Sequence, residues 1–499
     1  MQAYQTLERR FARLSRLDGA LGILGWDKET TMPVGAAAER GEQIATLSVI
    51  RHELLTADET GTLLNRAEQD NAPLGPWQAA NLREMRRVHA HATAVPADLV
   101  EAASRAASTC EMAWRQARAD SDFNSLLPHL SEVLATQRAI GEAKGAALGL
   151  SPYDALLDQY DPGMRQSFID PIFSDLRKGL PALLGEVLEH QARQPAPLPM
   201  PGPFPVAIQR LLGERLMQAV GFDTSRGRLD VSTHPFCGGS NADVRITTRY
   251  DEADFSGAMM GVLHETGHAL YEQGRPAEWL SQPVGHARGM TLHESQSLLI
   301  EMQACRSDAF LEFLAPLLRD AFGDDPAWAL PNLRAHYRRV KPGLIRVDAD
   351  EVTYPAHVLL RYGIERALID GDLSLRDLPA AFNDGLRDLI GVVVPDDRRG
   401  CLQDIHWPAG LWGYFPTYTL GAMTAAQLFR AACNDVPDLE VALSRGHFAP
   451  LVGWLGEHIH RRGSLKNTAE LISDATGSPL DARIYQAHLR RRYLGSHAS

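Results

Sequence analysis

Apolar residues recur every three or four positions through most of the first 191 residues, and that spacing predicts helices almost throughout. Leu7, Phe11, Leu14, Leu17 and Leu21 form one such stripe, and the turn residues of Thr30–Gly35 break it. Further helices are expected over Ala36–Leu54, Pro76–Ala92 and Pro96–Ala117, with Pro96 in a first turn, where a missing N–H is tolerated. From Pro195 to Pro205 every second residue is proline, which excludes helix and central strand. A proline-rich loop over 192–206 therefore divides a helical half over 1–191 from a second half over 207–499, without requiring that the two be separate domains.

After a helix over Ile208–Val220 the period shortens to that of a strand. Gly227–Ser232 and Ala242–Tyr250 alternate polar with β-branched residues around a glycine-containing loop, so a small antiparallel hairpin is predicted, walling a cleft. Asp243, Arg245 and Thr247 then share one face, whose plainer reading is a solvated edge.

The apolar run Met259, Met260, Val262, Leu263 predicts a buried helix that ends near Gly274 in a left-handed glycine cap. It contains His264-Glu265-Thr266-Gly267-His268. Positions four apart share a helix face, so both imidazoles can reach one metal ion. Glu265, beside that face, is placed to take a proton from water rather than to act as a ligand. The next helical pattern runs over Thr291–Phe322, and Glu294 near its start follows His268 by 25 intervening residues, enough for a loop and a returning helix. Two histidines and one glutamate would leave a position open for water, the arrangement of a catalytic zinc. The plainer alternatives are two hydrogen-bonded core histidines and a glutamate serving the helix dipole.

Composition narrows the partners. With 62 acidic against 50 basic residues, a formal net charge of -12 and no basic block, nucleic-acid binding is not expected. No apolar run is long enough to cross a bilayer, and Met1–Gln5 leads into a charged helical pattern, so no membrane partner is expected. The five cysteines, Cys110, Cys237, Cys305, Cys401 and Cys433, are scattered without metal spacing, which fits free thiols and a cytoplasmic location.

In order along the chain, Asp243-Val244-Arg245-Ile246-Thr247, His264-Glu265-Thr266-Gly267-His268, His293-Glu294-Ser295-Gln296, Ile345-Arg346-Val347-Asp348-Ala349-Asp350 and Gly400-Cys401-Leu402-Gln403-Asp404-Ile405-His406-Trp407 resemble the motifs of the carboxypeptidase Taq family. Gly25–Pro33 resembles the family's first segment, so the likeness covers nearly the whole chain. It implies one catalytic domain over 1–499 with a mainly α fold, a large helical body with a deep groove and a small sheet, similar to other gluzincin peptidases. It also implies a homodimer that removes residues singly from peptide C-termini with broad preference, using zinc or in some cases cobalt. Carried over by motif, the metal ligands are His264, His268 and Glu294, with Glu265 as general base. Pro355, in Thr353-Tyr354-Pro355-Ala356-His357, stands where many relatives have asparagine, which bears on pocket shape rather than metal chemistry.

Amide hydrolysis leaves an oxyanion to be held and, for an exopeptidase, a terminal carboxylate to be recognised. Tyr414, Tyr418 and His406 are the candidate oxyanion donors. Arg346 is the first candidate for the carboxylate, since a guanidinium can bind it by two parallel bonds. Arg245 is second, with pairing to Asp243 as a structural brace the competing reading, and His234 in the hairpin loop is a candidate cleft residue. Asp348, Asp350, Gln403 and Asp404 are read as orienting groups or helix caps. The rival functions are a zinc oligopeptidase cutting internal bonds and a non-catalytic peptide-binding protein on the same frame.

Overall fold

In the computed structural model, which describes residues 1–70 and 73–495, the spacing of the first half is realised as eight helices from Gln2–Thr30 to Gln166–Ala192. The expected helices lie at Ala37–Thr56, Pro76–Thr93 and Ala97–Asp120, the last with Pro96 as its N-cap rather than inside its first turn. Tyr4, Leu7, Phe11 and Leu14 of the first helix pack with Leu55, Leu64, Leu82 and Met85 into a small core of their own. A far larger core includes buried residues from Ala106 to Tyr493 and so spans both sides of the proline-rich stretch. Phe204, at the end of that stretch, packs on Phe255 at 4.9 Å and pins the loop into this core.

The small sheet is present, but its pairing differs from the predicted hairpin. It has three strands, β1 (Gly227–Val231), β2 (Cys237–Ser240) and β3 (Asp243–Thr248), in the order β1-β3-β2. β2 and β3 form the antiparallel pair, whereas β1 runs parallel to β3. Two glycines in Cys237-Gly238-Gly239-Ser240 hide a strand from any propensity argument. Gly239 has φ +106 and a Cβ there would sit 2.0 Å from the Asp243 carbonyl oxygen, so the hairpin itself requires it, while the first helix lies directly on β2, where a Cβ added to Gly22 would sit 2.1 Å from the Gly239 carbonyl oxygen. Val244 and Ile246 bury against Val262 and Ala269 of the following helix. The opposite face is no solvated edge, since Thr247 is buried and Arg245 lies over Trp26 of the first helix at 5.9 Å.

The expected helix over Thr291–Phe322 is interrupted. Met290–Leu298 continues into a π-helical turn, Leu299–Ala304, and a new helix, Asp308–Phe322, starts where Ser307 accepts a hydrogen bond from the Phe310 N–H. Among the described residues, no helix is long and apolar enough to cross a membrane, and all five cysteines are free thiols.

Candidate active site

The helix Phe255–Gly274 starts at Asp254, whose carboxylate accepts from the Ser256 N–H, and is buried on two sides. Phe255, Met259, Met260, Leu263 and Leu270 enter the large core, while Val262 and Ala269 meet the sheet. It ends at Gly274 as expected, but not through a left-handed cap, because the next residue, Arg275, is extended at φ -60. Gly274 is required by close packing instead: a Cβ there would lie 2.8 Å from His460 Nδ1.

Two further glycines bring three helices together around the reactive groups. A Cβ on Gly267 would sit 2.4 Å from the Gln296 carbonyl oxygen, and one on Gly421, in the helix Pro416–Asp435, would sit 2.9 Å from Glu294 Cβ. This closeness places His264, His268 and Glu294 so that one ligand atom of each lies within 4.8 Å of the others. Glu294 Oε2 is 3.4 Å from His268 Nε2 and 3.9 Å from His264 Nε2.

The outer nitrogen of each imidazole is held from behind. His264 Nδ1 is 2.9 Å from Glu301 Oε2, and Arg306 in turn donates to Glu301 Oε1 at 2.6 Å. The π turn that carries Glu301 lies directly after the helix bearing Glu294, and wide turns of this kind cluster at functional sites. His268 Nδ1 is 2.7 Å from His293 Nδ1, whose other nitrogen is 2.9 Å from Glu272 Oε1. Because Glu272 accepts, His293 carries its proton on Nε2, and the bond between the two histidines then runs from His268 to His293. His268 is left with a bare Nε2 facing Glu294, the form a metal needs.

Charge around these groups is predominantly negative. Burial pushes the Glu265 carboxyl up to about 7, with Glu294 and Glu301 adding to the effect against His264. Burial opposes the charge on Glu294, yet the imidazoles of His268 and His264 beside it outweigh it and hold that carboxyl down to about 2. Burial likewise opposes a proton on His264, but Glu301 and Glu294 outweigh it and raise the imidazole to about 10. In His268 burial wins, and its pKa falls to about 4. The surroundings favour a cation held between the imidazoles and the carboxylates.

A second buried cluster is centred on Asp404. Its Oδ1 accepts from Nε and Nη2 of Arg346 at 3.0 and 2.9 Å, and its Oδ2 accepts from Nε of Arg361 at 2.7 Å and is also paired with Nη2 of that residue. Gln403 accepts from the Arg346 N–H, and Asp350 caps the start of the next helix through the N–H groups of Val352 and Thr353. That helix, Tyr354–Asp370, has Pro355 in its first turn. Arg346 donates through Nη1 to the Tyr354 hydroxyl at 2.9 Å, and the rings of Tyr354, Phe415 and Tyr418 surround its guanidinium at 5.1 to 5.9 Å.

The same aromatic groups connect the two clusters. The Tyr418 hydroxyl is 3.2 Å from His406 Nε2, and Tyr414 meets Tyr418 edge-on at 5.3 Å. Burial raises the phenols of Tyr354, Tyr414 and Tyr418, and the charge of Glu294 adds to each, so all three lie within its electrostatic reach. They keep their protons and can donate. Burial and the nearby Arg346 push His406 down to about 4, leaving it neutral.

Two sequence candidates stand apart. Arg245 gives the Nε–Nη2 edge of its guanidinium to both carboxylate oxygens of Asp243, at 2.9 and 2.5 Å, the geometry of a brace. His234 is exposed in the loop between β1 and β2, where its carbonyl accepts from Ser232 Oγ. The sequence reading missed Glu301, Glu272 and the orienting role of His293. Glu272, four residues after His268, was within reach of a helical-face argument; Glu301 was hidden by the π turn, which changes the residue spacing. Arg361 carried no local signal, because its partner Asp404 lies in a different motif.

Comparison with known proteins fits this geometry. The family model of the carboxypeptidase Taq (M32) metallopeptidases matches residues 6–493. The thermostable carboxypeptidase 1 of Thermus thermophilus is 39% identical over 98% of each chain, and that of Pyrococcus furiosus 34% over 97% of each. Among solved structures, metallocarboxypeptidase 1 of Trypanosoma cruzi superposes with a TM-score of 0.97 at 42% identity, covering 99% of both chains. With the match running nearly end to end, the chain belongs to the carboxypeptidase Taq (M32) metallopeptidase family.

Proposed function

We propose that this chain, a metal-dependent carboxypeptidase and thus a peptide hydrolase by its family, releases single residues from peptides with a free C-terminus, with broad preference. The supporting observation is that two buried clusters of opposite charge share one wall of tyrosines, the His264, His268 and Glu294 group on one side and Arg346 on the other.

His264, His268 and Glu294 are the proposed metal ligands. Their two imidazole nitrogens and one carboxylate oxygen suit zinc, with cobalt an acceptable substitute. A bound divalent cation there supplies polarisation of the scissile carbonyl and a more acidic attacking water. Glu265, a buried carboxyl with a pKa of about 7, takes the proton from that water near neutrality and returns it to the departing amine nitrogen. Tyr418, Tyr414 and His406 are the donors proposed for the oxyanion, Tyr418 and His406 acting as a hydrogen-bonded pair.

Arg346 receives the terminal carboxylate. Asp404 occupies its Nε–Nη2 edge, which leaves the Nη1–Nη2 edge for a substrate carboxylate, beside the Tyr354 hydroxyl. Arg245 is assigned as a brace, and His234 is left outside the reaction. The family likeness also supports a homodimer, and the free thiols a cytoplasmic setting.

Mass spectrometry of a peptide digest, with and without chelator and after zinc is restored, tests the reading. A ladder of products shortened stepwise from the C-terminal end, abolished by chelation, is expected. Internal fragments as the first products would favour the oligopeptidase alternative.

A further inference from the structure

Arg361 touches neither the metal-facing cluster nor the tyrosine wall, yet it is the other half of the Asp404 arrangement. Its guanidinium is 1% exposed and lies over Phe382 and Phe415 at 5.0 and 5.4 Å. Nη1 donates to the His357 carbonyl on its own helix at 2.8 Å, and the Nε–Nη2 edge grips Asp404 Oδ2. Two buried guanidiniums therefore share one carboxylate, each on its own oxygen.

The neighbouring ionisable groups do not restore the balance. His357, on the same helix, and His406, on the loop after Asp404, are both held neutral, the first at about 3 by burial and then Arg361 and Arg346, the second at about 4. The phenols of Tyr354 and Tyr418 keep their protons. Glu365, one turn beyond Arg361, gives its oxygens to the Trp407 Nε1–H, the Tyr153 hydroxyl and the Gly413 N–H rather than to a guanidinium, and burial, against those bonds and the nearby Arg361, raises its carboxyl to about 7. Asp404 is the one carboxylate paired with these two guanidiniums among the described residues, which leaves one positive charge without an ion-pair partner.

An uncompensated charge in a buried site is costly, and it persists where a ligand of opposite sign completes it. We infer that Arg361 is a positioning residue for recognition of the substrate's terminal carboxylate: by taking one oxygen of Asp404, it prevents that carboxylate from neutralising Arg346 and keeps Arg346 available to an anion. The inference rests on the assignment of Arg346 as the carboxylate clamp. It implies a charge rule in which recognition follows the net charge of the Arg346, Arg361 and Asp404 group rather than the identity of each residue.

The test is a double-mutant cycle read as KM and kcat on a free-acid peptide and its C-terminally amidated analogue. Arg361→Met brings the group to zero and should raise KM for the free acid about tenfold or more, with kcat within about twofold, the size expected for a close buried ion pair. Adding Asp404→Asn returns the group to one positive charge, and the double variant should recover to within about threefold of the wild-type KM. Arg361→Lys, which keeps the charge, should stay within the same range and supplies the decision if Arg361→Met does not fold. A double variant worse than either single one, or a tenfold rise in KM for Arg361→Lys, overturns the charge rule. Arg346→Ala is measured alongside: if it leaves discrimination between acid and amide intact, the clamp itself fails; if discrimination is lost but the double variant is not rescued, only the role of Arg361 fails.

Discussion

Two clusters of charge are buried a few side chains apart, and their imbalances have opposite signs. Around the histidines lie Glu265, Glu272, Glu294 and Glu301, while Arg275 pairs with Glu272 at 2.9 Å and Arg306 with Glu301 at 2.6 Å. Glu265 and Glu294 are left without a guanidinium of their own. Around Asp404 the excess is positive. Burying charge is unfavourable in either sense, so on the proposed function each imbalance has a matching ligand, a divalent cation in one and a carboxylate in the other. The sign of the surplus identifies the ligand more directly than the residue types do, because both clusters contain carboxylates and histidines.

The largest way to break this contrast is to remove the proton acceptor while leaving the cation site whole. Glu265→Gln keeps the side-chain shape and leaves His264, His268 and Glu294 in place. Turnover should fall by about 10²–10⁴, the usual contribution of a general acid-base group, with metal content by elemental analysis unchanged. Activity near wild type with metal bound would remove Glu265 from the reaction.

The positive cluster should respond to substrate form instead. Arg346→Ala is expected to lower kcat/KM for free-acid peptides by about 10²–10³, corresponding to loss of one partner of a buried charge pair, with little change for amidated analogues. Equal losses on both would show that the cluster braces the fold and does not read the carboxylate.

The two clusters also differ in how far the sequence displayed them. His264, Glu265 and His268 are local, set four apart on one helix, so an elementary periodicity places both imidazoles on one face. Glu294 was within reach because it opens the next helix. The Asp404 cluster draws on three separate segments, and only a resemblance of motifs, not spacing, could point to Arg346. Arg361 lay in a helix with no distinguishing pattern. For the fold, the helices of the first half followed from periodicity, whereas the break in the one expected over Thr291–Phe322 did not, nor did the parallel pairing of β1, since the glycine-rich β2 between β1 and β3 in the chain gives no strand signal.

A finer test separates the two histidines. His264 leans on a carboxylate directly, whereas His268 reaches Glu272 only through His293. Glu301→Gln should weaken zinc binding about 10–100-fold in a chelator competition, the range for groups that orient metal ligands. Glu272→Gln should cost less, because His293 still accepts from His268. The reverse order would mean that the histidine pair carries more of the ligand orientation than its intervening ring suggests.

The smallest expected effect isolates what a counter-charge does to a buried carboxyl. Asp404 and Glu365 are both buried and are held from the same helix, but burial of Asp404 is outweighed by Arg361 and Arg346, which keep it well below the usual carboxylate range, whereas Glu365 is raised by burial to about 7. A carboxyl whose folded pKa exceeds its unfolded value retains a proton that the unfolded chain has lost, so stability falls as pH rises from about 4.5 to about 7 and then levels. The contribution is on the order of 1–3 kcal/mol by linkage. Glu365→Gln removes this dependence while keeping an oxygen for Trp407 Nε1–H or Gly413 N–H. In denaturant titrations the wild type should lose ground against the variant between pH 5 and about pH 8. Parallel curves across that window would show that Glu365 is ionised throughout, and that Arg361 serves both carboxylates rather than Asp404 alone.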